Sequence, residues 1–305
     1  MPMKHYEIQP NLSREDAVRL VVQGERAFEG QLEEICEALL KRRDLHFLGL
    51  MGPTCSGKTT SANLITEILE AHGKQVHVIS IDDFYYDKVH LLELTKRKGL
   101  AELDYDSEET IHIALLESCV ESLRAGMRTR LPKFDFTTGE SGAGEEIYPS
   151  PNDVFLFEGI QVLYPGVDRI LRNEQYQSIH IAPQTSIKTG GQTFEPNEIR
   201  LLRRLVRDYH FRGASPDFTF MLWKSVRANE EKLIFPNVHL CDYTIDSTMP
   251  YEIGILKPFL EDILPKVPKG DEYESEATRI LKELQEVQEF SADLIPENSL
   301  YKEFI

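Results

Sequence analysis

LHFLGLMGPTCSGKTTSANLITEILEAH, residues 45–72, is the stretch that decides the fold. Its first seven residues are an apolar run of strand length. Residues 61–72 place apolar side chains at helical spacing, and Gly73 follows as a C-cap. Between the two lies GPTCSGKT (52–59), which fits G-x-x-x-x-G-K-[ST] through Gly52, Gly57, Lys58 and Thr59. Chance produces that pattern in about one chain of this size in a hundred, and here it also follows a strand and opens a helix. The glycines let the backbone bend so that its N–H groups converge on phosphate oxygens. The helix N-terminus adds partial positive charge. Lys58 is placed to neutralise β- and γ-phosphates, and the Thr59 hydroxyl to ligate Mg2+. The phosphate-binding set is therefore Gly52, Pro53, Thr54, Cys55, Ser56, Gly57, Lys58, Thr59 and Thr60. Cys55 reads as a loop filler open to alkylation, not as a nucleophile.

Outward from this unit, strands and helices alternate over roughly 45–250. QVHVISI (75–81), VFLFEGI (154–160) and YQSIHIA (176–182) have strand character, and 107–126 reads as one long amphipathic helix stopped by Gly126. Such alternation implies an α/β domain with a mainly parallel sheet, a three-layer α/β/α fold of the P-loop NTPase type. TTGESGAGEE (137–146) and QTSIKTGGQTFEP (184–196) read as polar, Gly-rich loops, the second as mobile surface. Residues 11–43 read as a helix capped by Ser13, with Asp16 reaching back to it. Residues 271–290 read as an acidic helix with apolar Ala277, Ile280, Leu281, Leu284 and Val287. The expected organisation is a helical extension (1–44), a P-loop domain (45–265) and a helical tail packed on it (266–305).

Composition narrows the partners. The 305 residues are 41% hydrophobic and 28% charged, ordinary globular values that exclude disorder as the main state. Lys and Arg number 34 against 51 Asp and Glu, a net charge of −17 that argues against nucleic acid or an anionic membrane as partner. No apolar run is long enough to span a bilayer, and MPMKHYEIQP lacks the apolar core of a signal peptide. Cys36, Cys55, Cys119 and Cys241 have no paired short spacing, so neither a disulfide framework nor a zinc pattern is present. A reducing, cytoplasmic protein is expected.

Three segments surround the phosphate loop with charge. VISIDDFYYD (78–87) ends a strand with Asp82 and Asp83, which in a parallel α/β sheet places two carboxylates beside the loop. One suits the proton of an acceptor hydroxyl and the other a water-mediated magnesium contact. The same pair also suits an N-cap on the next helix. FLFEG (155–159) ends in Glu158, a second candidate for the magnesium shell. RLLRRLVRDYHFRG (200–213) packs five arginines into thirteen residues of an acidic protein. On a helix, Arg200, Arg203, Arg204 and Arg207 share one broad face that suits a triphosphate. The chain lacks N-K-x-D, which reads guanine in GTPases, and lacks the Asp-Glu strand end of motor ATPases.

Together these segments resemble the uridine kinase and phosphoribulokinase family of P-loop kinases, over about 45–250. GPTCSGKTT, SIDDFY, LDYDS (103–107), LPKFDF (131–136), FLFEGI and RLLRRLVRDYHFRG carry the resemblance in order and spacing. WKSVRANEEKLIFP (223–236), YEIGILKP (251–258) and the closing segments are similar to a bacterial uridine-kinase-like branch. Longer members of that branch carry extra N-terminal domains related to threonyl-tRNA synthetase. The resemblance implies ATP and Mg2+ as cofactors, a small-molecule acceptor, and self-association as in family relatives. It implies that Asp82 deprotonates a nucleoside 5′-hydroxyl, with Tyr85 beside the nucleoside. Asp104 and Arg204 would bind the ribose hydroxyls. Glu158 would be the magnesium-associated acid, with Asp83 in the same shell, and Arg207 and Arg212 the lid arginines that grip phosphates with Lys58. Phe134 falls where a base-contacting Tyr is usual.

Two departures bear on specificity. Uridine kinases usually place a pyrimidine-reading His shortly after Y-D-F, where this chain has Gly139 in FDFTTGESG. They usually read R-G-R in the lid, where this chain has R-G-A with Ala214. Losing hydrogen bonds to the base weakens discrimination. The expected activity is phosphoryl transfer from ATP to a nucleoside 5′-hydroxyl with altered base choice. Two rivals are a kinase of another sugar or sugar phosphate, with Lys133 as candidate phosphate ligand, and a catalytically weak nucleotide-binding regulator.

Overall fold

A computed structural model describes residues 5–42, 44–99 and 107–305. In chain order β1 (His5–Glu7) and α1 (Arg14–Leu40) precede β2 (Phe47–Met51), α2 (Lys58–Ala71), β3 (Gln75–Ser80), α3 (Lys88–Lys98) and α4 (Ile113–Arg124). Then come β4 (Thr129–Asp135), β5 (Glu140–Ile147), β6 (Asp153–Glu158), α5 (Pro165–Leu171), β7 (Tyr176–Ala182), β8 (Ser186–Thr189) and β9 (Gln192–Phe194). The chain continues through α6 (Pro196–Arg212), α7 (Pro216–Asn229), β10 (Tyr243–Asp246), α8 (Glu252–Ile263) and α9 (Glu274–Leu284).

Five strands lie side by side in the order β10-β7-β2-β6-β3, every pair parallel. β2 is central and buried throughout, which is why it reads as an unbroken apolar run. Its side chains alternate between two cores. Leu48 and Leu50 join Leu32 of α1, Ile65 of α2, Leu202 of α6 and Ile255 of α8. Phe47 and Met51 join Leu116 of α4, Leu131 of β4 and Val167 of α5 on the other face. The result is the expected three-layer α/β/α fold. Crossovers in a parallel sheet bring the loops after β2, β3 and β6 to one edge, where ligands bind in such folds.

Several expected boundaries change. Residues 107–126 are not one helix: 108–110 make a 3-10 turn and Ile111 bridges to Tyr85 in extended backbone. α4 then starts at Ile113, where the His112 ring accepts the Leu115 N–H at 3.2 Å. The acidic helix of 271–290 is confined to α9. α1 keeps its Ser13 cap, which accepts the Asp16 N–H at 3.1 Å and donates its hydroxyl to the Asp16 carboxylate at 2.6 Å.

Both Gly-rich loops are hairpins. β5 pairs antiparallel with β4, and Gly139 (φ 75°) closes the turn between them. A Cβ at Gly144 would lie 2.7 Å from the Pro132 carbonyl oxygen, so a residue without one fits at the bulge. β8 and β9 pair across Gly190 (φ 56°) and Gly191 (φ 75°), the two left-handed residues of a tight hairpin turn. Ile187 and Phe194 are buried and β1 adds a parallel third strand, so 184–196 is packed structure rather than loose surface.

Arg203 of α6 is fully buried and is bound by both Glu252 oxygens, at 2.7 and 3.0 Å. Removing one partner of such a pair leaves a buried charge without compensation. Arg203→Met is therefore expected to lower unfolding free energy by about 3–5 kcal/mol, checked by equilibrium denaturation.

Candidate active site

The loop after β2 turns through Cys55 (φ 57°) and Gly57 (φ 89°) before α2 begins at Lys58. A Cβ at Gly52 would lie 2.1 Å from the Ile181 carbonyl oxygen, so only glycine lets the loop leave this close to β7. Four loop carbonyls are engaged by cationic side chains. Lys58 Nζ donates to the oxygens of Gly52 (3.0 Å) and Pro53 (3.1 Å). Arg200 donates to Thr54 O at 3.2 Å, and Arg203 to Cys55 O at 3.2 Å. In a trans peptide the next N–H runs opposite to each carbonyl. With the Thr54 and Cys55 carbonyls fixed on Arg200 and Arg203, the N–H groups of Cys55 and Ser56 turn away from those two arginines.

That cavity is about 840 Å³ and is lined by the loop, Asp82, Tyr85, Phe136, Glu158, Gln161 and three arginines of α6. Lys58 and Glu158 both line it and attract each other. Burial lowers the Lys58 pKa, and Glu158, Glu303 and Asp82 counter that effect. Burial raises the Glu158 pKa, and Lys58 and a Ser80 hydrogen bond counter it. Among the described residues no group of three His, Cys, Asp or Glu side chains is placed to hold a metal. Thr59 and Glu158 both line the cavity, a sparse oxygen set suited to a magnesium ion that keeps phosphate and water ligands.

Asp82 sits in the 3-10 turn after β3. Gln161, almost fully buried after β6, donates through Nε2 to Asp82 Oδ1 at 2.6 Å and to the Tyr85 hydroxyl at 2.8 Å. A carboxylate only accepts, so this contact fixes which end of the amide faces Asp82. Asp83, expected in the magnesium shell, is instead turned to the β4–β5 hairpin. Its oxygens accept from Lys133 Nζ (3.0 Å) and the Phe134 N–H (3.2 Å). Lys133 is thereby occupied as well. Phe134 is also displaced from its expected role. It is buried edge-on against Tyr85, with ring centres 5.5 Å apart, and Phe136, 62% exposed, is the ring that lines the cavity. Asp104 lies outside the described residues.

The basic face of α6 divides in two. Arg200 and Arg203 are interior, paired with Glu230 (2.6 Å) and Glu252. They do not face a triphosphate, because burial on α7 and α8 takes that side of the helix. Arg204, Arg207 and Arg212 line the cavity and gather on Asp208, at 3.0, 2.7 and 3.6 Å. Sequence reasoning missed Asp208, Gln161, Phe136 and Glu303. Only Asp208 carried a local signal, its i,i+4 spacing from Arg204.

Residues 47–253 match the phosphoribulokinase/uridine kinase family, and the chain belongs to that family. Its fold, a parallel sheet with the phosphate loop after the central strand, is of the P-loop type that this family shares. A uridine kinase of Lactobacillus helveticus is 31% identical over 170 residues, 56% of this chain and 71% of that protein. A uridine kinase of Yersinia enterocolitica is 30% identical over 201 residues, 65% of this chain and 85% of its own length. Uridine kinase-like protein 5 of Arabidopsis thaliana is 30% identical over 199 residues, 65% of this chain and 38% of that protein. The chain therefore spans about a third of the two Arabidopsis relatives. Among solved structures, D-glycerate 3-kinase from Cryptococcus neoformans aligns with a TM-score of 0.48 at 17% identity, over 68% of this chain and 88% of that one. No helix among the described residues is long and apolar enough to cross a membrane.

His180 of β7 is buried under the loop, and neither ring nitrogen has a hydrogen-bond partner among the described residues. Burial, with the charges of Arg200 and Lys58, lowers its pKa to about 4. The unfolded chain binds a proton near pH 6.5 while the folded chain does not, so stability rises with pH across this window. The contribution is complete above about pH 6.5 and is lost as the pH falls to about 4. Denaturation is expected to show about 2 kcal/mol lost between pH 7 and pH 4.5 from this group, and His180→Asn to flatten that slope.

Proposed function

We propose that the chain is an ATP- and magnesium-dependent kinase that phosphorylates the 5′-hydroxyl of a nucleoside with relaxed base choice. The observation that carries this reading is Asp82, held by Gln161 in the cavity that Tyr85, Phe136 and the lid arginines also line. The residues present fit the nucleotide and the ion: loop carbonyls bound by cationic side chains, a 14-residue helix starting at Lys58, and a hydroxyl and an acid in Thr59 and Glu158. Magnesium supplies charge neutralisation to the phosphates when bound.

The protein groups then divide the work. Gln161 fixes one Asp82 oxygen and leaves the other for the acceptor proton, so the base is oriented before the acceptor arrives. Lys58, Arg207 and Arg212 supply positive charge where the transferring phosphoryl group develops negative charge. Asp208 holds the α6 arginines in register and spares the ligand that ordering cost. α6 borders the cavity as the lid that excludes water. Tyr85 and Phe136 offer ring surface to a base, which any base satisfies. Gly139, at the position of the pyrimidine-reading His, is a turn residue whose carbonyl accepts the Lys88 N–H at 2.7 Å, and it offers no side chain to a base edge. Lys133 pairs with Asp83 and is not among the residues lining the cavity, which counts against it as the phosphate ligand of a sugar-phosphate kinase.

Asp82→Asn is expected to keep ATP binding and to lower turnover by about 10²–10⁴-fold. Near-wild-type turnover would remove Asp82 from the mechanism. Gln161→Ala is expected to lower kcat by about tenfold at unchanged ATP affinity. A panel of nucleosides, scored by ADP release and by 5′-monophosphate product, should show purine and pyrimidine acceptors used at comparable efficiency. Discrimination for uridine and cytidine by about 10⁴-fold would contradict the relaxed base choice.

A further inference from the structure

Thr60 is the third residue of α2, so its N–H has no acceptor within the helix. That N–H donates to Glu303 Oε1 at 2.5 Å, and the Thr60 hydroxyl donates to the same oxygen at 2.6 Å. Glu303 is 243 residues away in sequence and lines the cavity with Lys58 and Thr59.

The carboxylate is held there by buried anchors. Glu303 ends a 3-10 turn, Leu300–Glu303, that begins at Ser299, whose hydroxyl accepts the Tyr301 N–H at 3.1 Å. Tyr301 and Phe304 on either side of Glu303 are fully buried, and the Arg203 guanidinium lies over both rings. The Tyr301 hydroxyl donates to Glu252, and Ser299 donates to Glu25 at 2.5 Å. Leu300 packs on the loop itself, 3.5 Å from where a Cβ on Gly57 would sit.

In a loop of this kind the amides cradle the α- and β-phosphates while the lysine reaches the β and γ groups. Thr60 lies two residues further into the helix than Lys58, on the inner-phosphate side. A carboxylate and a phosphate cannot share its one N–H and one hydroxyl, and two anions at one place repel. We propose that Glu303 is a donor-specificity residue: it occupies the inner-phosphate position of the cradle. A nucleoside triphosphate must displace it, whereas a two-phosphate anion seated at the Lys58–Thr59 end need not. The proposal rests on the reading of 52–60 as a phosphate site.

Calorimetric titration of the full chain with MgATP and with magnesium pyrophosphate tests it, using wild type, Glu303→Gln, Glu303→Ala and Lys58→Ala. Both Glu303 variants are expected to bind ATP about tenfold more tightly, with pyrophosphate affinity within about twofold of wild type. The ratio of the two affinities is the readout, because a helix cap with no role in ligand choice would not move it. Glu303→Gln keeps an acceptor oxygen for Thr60 and removes only the charge, so it reports even where Glu303→Ala unfolds. An ATP-to-pyrophosphate ratio equal to wild type in folded Glu303→Gln overturns the proposal and leaves the phosphate site standing. Loss of both affinities in Lys58→Ala supports the phosphate site itself. Equal binding by Lys58→Ala and wild type, or no binding of either anion by any form, overturns that reading and the proposal with it.

Discussion

The buried guanidinium of Arg203 is the contact on which the rest of the site depends. It meets Glu252 of α8 through two hydrogen bonds, the Ser247 carbonyl at 2.6 Å, and the Cys55 carbonyl of the phosphate loop at 3.2 Å. Tyr301 and Phe304 cover its faces. A charge taken out of water is tolerated only when its donors are used and its counter-ion is fixed. Meeting that condition obliges α6, α8, the phosphate loop and the 299–305 segment to converge on one point. The loop conformation is thus set as much by what lies behind it as by its own glycines.

Arg200 repeats the arrangement one turn earlier, between Glu230 and the Thr54 carbonyl. The two interior arginines hold loop carbonyls, and the three arginines that line the cavity gather on the buried Asp208. α6 therefore contributes in two ways from one basic segment, organising the loop from behind and supplying charge in front. The opposed pKa directions of Lys58 and Glu158 follow from the same enclosure. Burial acts against both charges, and each group's largest compensation is the other.

What was legible in the sequence was local. GPTCSGKTT gave the strand, the turn and the helix start, because left-handed backbone at Gly57 and a lysine at the helix N-terminus are properties of adjacent residues. The Gly190–Gly191 turn carried a hairpin signal of equal strength, read as loose surface because the flanking residues are mostly polar. β5 carried almost none: ESGAGEEI has one large apolar side chain, and it is a strand because β4 offers it a hydrogen-bonding partner. By residue type and position alone Asp82 and Asp83 were indistinguishable, and only the resemblance assigned them different roles. Gln161 and Lys133, each from a different element, separated them into a cavity carboxylate and a hairpin anchor.

The sequence by itself determined the P-loop α/β architecture, the phosphate loop and the family, since periodicity and motif spacing act within a few residues along the chain. Only the tertiary structure decided which arginines are interior, that Phe136 rather than Phe134 lines the cavity, and that Glu303 reaches Thr60. Those outcomes depend on burial and on the direction of side chains from elements far apart in sequence. Electrostatic and packing energies are set by distance in space, and a linear pattern does not contain that distance.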